Sequence, residues 1–146
     1  MLQIDTKSAP NGALSGLSGL RVLVVEDTWH IAKALQSALE SVGMVVVGPS
    51  ATAADADRLV AAQIPHVAVV DVKLKGEMAY GLIDRTHDRG ISIVAVSGYP
   101  AFPTLTQKAS AILEKPFSSA DLLATLCQVM HNDNSPAEDL PATGTE

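Results

Sequence analysis

The chain has 146 residues, 47% hydrophobic but only 3% aromatic, with a formal net charge of −6. This length suffices for one domain with a real core, built from Val, Leu, Ile and Ala rather than rings. The acidic balance argues against nucleic-acid binding, which needs clustered Lys and Arg, and the single cysteine, Cys127, excludes an internal disulfide and a CxxC metal site.

The N-terminus has neither a basic region nor an apolar one, so no secretory signal is expected. No apolar run approaches membrane-spanning length. The expected setting is cytoplasmic. Residues 1–19 are rich in Gly, Ser and Ala without periodicity and are expected to form a disordered N-terminal tail. One domain is expected over 20–131. Residues 132–146, with two prolines and several acids, are expected to form a disordered C-terminal tail.

Between the tails, apolar runs alternate with helical periodicity. The first strand is expected at about Arg21–Val25. A helix follows from about Trp29 to Ser41, with Thr28 as N-cap and Gly43 past its end. Its apolar face is Ile31, Ala34, Leu35, Ala38, Leu39 and Val42. The second strand is about Met44–Val47, ended by Gly48-Pro49, and a weak helix covers about Ala53–Ala62. The third strand is about Val67–Val70, followed by a helix over about Glu77–Arg89 that stops at Gly90. The fourth strand is about Ser92–Val96. Pro100 and Pro103 break regular structure early in Gly98–Ser110, leaving at most a turn or two of helix there. A fifth strand at about Ala111–Leu113 leads to a helix over about Ser119–Met130, opened by the capping-box pair Ser118 and Asp121. Alternation of this kind implies right-handed crossovers and a parallel sheet covered on both faces.

Polar residues stand at the ends of four of these strands: Glu26 and Asp27, then Asp71, then Ser97, then Lys115. In an open parallel sheet the carboxyl ends of the strands form the ligand crevice. Three carboxylates, a hydroxyl and an ammonium gathered there suit a divalent cation and a phosphoryl group. Taken singly, each has a plainer reading. Acids near helix N-termini are favoured by the macrodipole, a serine before Gly98 suits a turn, and a lysine beside a proline is commonly solvated. The plain reading is weakest for Asp71, which directly follows four apolar residues. Pro116 holds Lys115 extended, which aims its side chain. The four histidines, His30, His66, His87 and His131, show no metal-binding spacing and are read as structural or surface residues.

In this order, acid pair, Asp, Ser, Lys-Pro, the chain resembles the receiver domain of bacterial response regulators from about Leu20 to Met130. The resemblance implies a flavodoxin-like (βα)5 fold, a doubly wound five-stranded parallel sheet of order 2-1-3-4-5, here with a shortened or irregular fourth helix. It implies that Asp71 is the phosphoacceptor. Glu26, Asp27 and Asp71 would bind Mg²⁺, with the backbone carbonyl of Lys73 as a further ligand. Ser97 would be the switch hydroxyl and Lys115 the partner of the phosphoryl group. Asp71–Glu77 and Ala95–Tyr99 look like the stand-alone receivers whose fourth strand ends in a Phe-Ala-Thr-Gly-Tyr motif, although Ala95-Val96-Ser97 replaces the first three residues. Such receivers are common in alphaproteobacteria, beside kinases of the HWE or HisKA2 type.

The implied function is that of a single-domain response regulator in a two-component or phosphorelay system. A sensor histidine kinase or phosphotransfer protein is the expected donor. A downstream protein partner, or a role as phosphate sink or shuttle, is the expected output, with neither nucleic acid nor membrane as a partner. The expected chemistry is Mg²⁺-dependent self-phosphorylation and autodephosphorylation at Asp71, rather than turnover of a separate substrate. Receivers also dock kinases with their first helix, which makes Trp29 a candidate contact; packing against a neighbouring loop is the alternative. Two departures stand out. Only 18 positions separate Ser97 from Lys115, about one helical turn short of the family pattern. Ile112 occupies the position where receivers often carry a switch aromatic, a role Tyr99 is a candidate to take.

Other classes fit less well. A haloacid-dehalogenase-type phosphatase needs a second Asp where Lys73 stands. An FMN-binding flavodoxin needs a hydroxyl- and glycine-rich loop in place of Glu26–Trp29. A receiver-like protein-binding module working without phosphorylation is the alternative that keeps the fold.

Overall fold

The computed structural model describes residues 16–98 and 108–133. Among the described residues, seven strands and four helices follow one another: β1 (Arg21–Val25), α1 (Trp29–Glu40), β2 (Val45–Ser50), α2 (Ala53–Gln63), β3 (Val67–Asp71), β4 (Lys73–Leu74), β5 (Glu77–Met78), α3 (Tyr80–Asp88), β6 (Ser92–Ser97), β7 (Ala111–Glu114) and α4 (Ser119–Asp133). Five strands form one parallel sheet in the order β2-β1-β3-β6-β7, and β4 and β5 form a separate antiparallel hairpin. Counting the sheet strands alone, this is the expected order 2-1-3-4-5 of a flavodoxin-like fold.

The central strand β3 is buried along its whole length, as a parallel strand covered on both faces should be. Side chains alternate between two cores, following the period of two along a strand. Leu23, Val25, Ala68, Val70, Ile93 and Ala95 meet α2 and α3 on one face. Val22, Val24, Val67, Val69, Val94 and Val96 meet α1 and α4 on the other. Leu35 and Leu39 of α1 and Leu122, Leu126 and Val129 of α4 complete the second core. Each such fully buried aliphatic side chain contributes about 1.5–3 kcal/mol, and the near absence of aromatics is made good by number.

Three expectations are corrected. First, β2 does not end at Gly48. It runs through a cis Gly48–Pro49 bond to Ser50, with a register irregularity between Leu23 and Val25 of its partner. An edge strand tolerates proline because one side of it has no ladder to break.

Second, the helix expected from Glu77 starts at Tyr80, and the residues before it form the β4–β5 hairpin. Gly76, at φ +81, makes the turn, a conformation open to glycine and costly for other residues. The Ala79 amide returns to the Val72 carbonyl at 2.8 Å.

Third, the packed structure includes residues before 20, which were expected in the tail. Leu17 is buried in the second core, and the Gly19 amide donates to the Gly43 carbonyl at 2.8 Å. A lone leucine in a Gly/Ser stretch has no periodicity to announce it. Gly43 matters to this junction, because a Cβ there would lie 2.6 Å from Ser18 Oγ.

The capping box of α4 forms as expected. The Asp121 amide donates to Ser118 Oγ at 3.0 Å, and the Ser118 amide donates to Asp121 Oδ2 at 3.1 Å. The shortened fourth helix of the family pattern, and Tyr99 with it, lie outside the described residues.

Candidate functional site

Parallel strands present their carboxyl ends at one edge of the sheet, and register decides which residues meet there. Val25 of β1 pairs with Val70 of β3, so Glu26 stands level with Asp71. Asp71 in turn pairs with Val96 of β6, placing Ser97 one residue beyond. Ser97 pairs with Glu114 of β7, and its carbonyl accepts from the Lys115 amide at 2.9 Å. The Lys115–Pro116 bond is cis.

The geometry brings the acids and the lysine together. One carboxylate oxygen each from Glu26, Asp27 and Asp71 lie within 4.8 Å of one another. Lys115 Nζ is 2.9 Å from Asp71 Oδ2 and 3.9 Å from Glu26 Oε1. Asp71 Oδ1 accepts from the Lys73 amide at 3.2 Å, so both of its oxygens are engaged. Glu26 Oε2 accepts from the Thr28 amide at 3.1 Å, and the Glu26 amide donates to the Ser50 carbonyl at 2.9 Å. Asp27 Oδ2 accepts from the amide of Lys75, on the hairpin. Glu26, Asp71 and Ser97 are buried, while Asp27 is half-buried. The Lys73 side chain is exposed, and its amide reaches the cluster at Asp71.

Burial and neighbouring charge act on Glu26 and Lys115. Burial pushes the Glu26 carboxyl up to about 7, helped by the charge of Asp71 and a hydrogen bond between the two carboxyls, and opposed by the Thr28 amide and Lys115. Burial works against the charge on Lys115. The hydrogen bond to Asp71 and the charges of Asp71, Glu26 and Asp27 outweigh it and hold the ammonium above its ordinary range. One ammonium thus faces three carboxylates and leaves the cluster short of positive charge. Hard oxygen donors in this state fit a divalent cation such as Mg²⁺, which Glu26, Asp27 and Asp71 can hold between them.

Two further features adjoin the cluster. His30, Ile31, Ala34 and Ala38 of α1 line an apolar groove of about 350 Å³ together with Phe117 and Leu122, and Lys115 borders it. Trp29, on the first turn of α1, is 74% exposed. Ile112, in the place of the family's aromatic, is half-buried against the first core. Reading of the sequence missed the Lys75 amide and the Ser50 carbonyl. Backbone groups carry no residue signature, and only the fold brings them here.

Comparison with known proteins bears on the fold and the family. The model of the response regulator receiver domain matches residues 22–127. No curated protein sequence matches the chain. Among solved structures, the response regulator PhyR from Brucella abortus is 22% identical with a TM-score of 0.78, covering 93% of this chain. A CheY-like receiver domain from Methanospirillum hungatei is 25% identical with a TM-score of 0.72, covering 81% of this chain and 99% of its own. A variant of the anti-anti-sigma factor PhyR from Bartonella quintana is 19% identical with a TM-score of 0.74, covering 85% of this chain. The chain spans only 60% and 54% of the two PhyR chains. At these identities the likeness is one of fold; the family match, which spans most of the chain, places it in the response regulator receiver domain family.

Proposed function

We propose that this receiver accepts a phosphoryl group on Asp71 and passes the signal to a protein partner, or acts as a phosphate sink or shuttle. The observation that carries the reading is the 2.9 Å contact of Lys115 Nζ with Asp71 Oδ2, beside two further carboxylates at the same sheet edge. Asp71 is the nucleophile. A carboxylate oxygen forms a bond to phosphorus while the bond from phosphorus to the donor breaks. With a histidine kinase as donor that bond is to imidazole nitrogen, which leaves and takes up a proton. Lys115 carries a point charge that follows the developing charge on the phosphoryl oxygens. Ser97 supplies a hydroxyl to a phosphoryl oxygen in the modified state, and its strand end is the element whose two positions are rebalanced. Glu26, Asp27 and Asp71, with the Lys73 carbonyl, would hold Mg²⁺, which when bound would neutralise charge on the carboxylates and the phosphoryl group. Water later attacks the acyl phosphate, returning the Asp71 carboxylate and inorganic phosphate.

The groove beside α1, with exposed Trp29 and His30 at the start of that helix, suits a kinase of the HWE or HisKA2 type or a phosphotransfer protein. The sequence around Ser97 supports assignment to the alphaproteobacterial Phe-Ala-Thr-Gly-Tyr-type receivers. One fold neighbour is described as an anti-anti-sigma factor, and a partner in sigma-factor control is the output class it suggests.

The test is intact mass after incubation with acetyl phosphate or phosphoramidate, with and without Mg²⁺. One Mg²⁺-dependent phosphoryl adduct is expected in the wild type and none in Asp71→Asn, which keeps the shape and loses the nucleophile. An adduct of equal yield in Asp71→Asn would refute the assignment.

A further inference from the structure

We infer that Glu77 is a positioning residue for the divalent-ion site, acting through the β4–β5 hairpin. The inference rests on the proposed Mg²⁺ site and adds a residue that the acidic cluster does not include. The hairpin leaves β3 directly after Asp71 and touches the cluster twice through its backbone. The Lys73 amide donates to Asp71 Oδ1, and the Lys75 amide donates to Asp27 Oδ2. Carboxylates that hold metal ions are commonly oriented by such hydrogen bonds from behind, and losing one of them typically weakens metal affinity roughly ten- to hundredfold.

A two-stranded hairpin with two residues per strand does not hold itself in place. Leu74 anchors one side, buried in the first core. The other strand is exposed at Glu77 and Met78; the chain re-enters the core only after it, at Ala79, whose amide donates to the Val72 carbonyl, and the strand's side-chain tie is Glu77 Oε2, which accepts from the Ala53 amide at 3.1 Å. Ala53 is the first residue of α2, where free amides and the macrodipole favour a carboxylate. Gly76 lets the turn aim the Lys75 amide back at Asp27 while Glu77 reaches away to α2.

The same corner is tied to the site by a second route. Ser50 accepts from the Glu26 amide through its carbonyl and donates its hydroxyl to the Thr52 carbonyl at 2.9 Å. The start of α2 is therefore a fixed post, referenced to the acid pair on one side and to the hairpin on the other. Glu77 closes this loop with an exposed side chain whose loss leaves both cores untouched.

The test is a Mg²⁺ titration followed by the fluorescence of Trp29, the one tryptophan of the chain, with calorimetry as an independent readout. Glu77→Ala is expected to raise the Kd roughly fivefold or more, with an unchanged urea midpoint in EDTA. Glu77→Gln, which keeps an acceptor for the Ala53 amide, is expected to return the Kd to within about twofold of wild type. Amide exchange at Lys75 is expected to quicken in Glu77→Ala. Should that variant unfold, Glu77→Asp, one methylene too short for Ala53, takes its place. A wild-type Kd in Glu77→Ala, or in Glu77→Asp in its stead, overturns the inference and leaves the phosphoacceptor reading standing. Absence of Mg²⁺ binding by the wild type overturns the metal site itself and the inference with it.

Discussion

At the scale of single residues, the site is an electrostatic imbalance held by burial. Glu26 bears most of it, because it is more enclosed than Asp27 and faces Asp71 directly. Its carboxyl sits near 7 in the folded protein against 4.5 for the free group. Between these values the folded state holds a proton that the unfolded state has released, so metal-free stability falls as pH rises through the window and levels off above it. Lys115 stays charged throughout, since its own shift is upward. Urea midpoints in EDTA are therefore expected to drop between pH 5 and 7.5 for the wild type. In Glu26→Gln, which carries no charge there, the drop should shrink and the neutral-pH midpoint should exceed that of wild type, while Mg²⁺ binding weakens. Identical pH profiles for the two proteins would show that Glu26 does not carry the strain. Sequence alone placed both acids at the strand end but could not rank them, because burial of neighbouring residues is set by what packs over them.

At the scale of elements, legibility followed periodicity. Four of the five sheet strands, all but β2, are runs of β-branched and aliphatic residues and were visible to within one residue. The α4 cap was visible because a Ser and an Asp three apart leave a pattern. The β4–β5 hairpin was not, since strands of two residues have no period, and β2 was cut short because Gly-Pro normally ends a strand. The end of α2 is a further case. Ile64 closes that helix at φ +30 and is 58% exposed, a left-handed conformation that a β-branched residue adopts at a cost of about 1–2 kcal/mol. Its carbonyl and that of Gln63 accept from the Arg21 guanidinium at 2.8–3.0 Å, which ties the helix end to β1. Glycine fits the conformation but is freer in the unfolded chain. Ile64→Gly is therefore expected to stabilise the protein by a net amount of about 0.5–1 kcal/mol, read as a rise in urea midpoint at constant m. A fall in midpoint would mean that the Ile64 side chain contributes more by contact than the turn costs.

At the scale of the whole molecule, the fold converts separation in sequence into proximity at one sheet edge. Glu26 and Asp27 follow β1 and Asp71 ends β3, more than 40 positions later, yet one oxygen from each lies within 4.8 Å of the others. No unfolded conformation offers this set, so a cation that binds it stabilises only the native state, by about 2.7 kcal/mol at a hundredfold excess over Kd. The net charge of −6 creates a competing effect, because any divalent salt also screens general repulsion. The two separate cleanly. Site binding is expected to raise the wild-type urea midpoint logarithmically with Mg²⁺ at matched ionic strength. Asp27→Asn, which removes one ligand charge from the edge of the cluster, should lose most of that rise. Ser97→Ala should keep it, because its hydroxyl is assigned to the phosphoryl group and not to the ion. The same experiment in NaCl should give a small rise shared by all three proteins. An equal Mg²⁺ response in wild type and Asp27→Asn would assign the whole effect to screening, and the acid cluster would then be a consequence of strand-end geometry rather than a metal site.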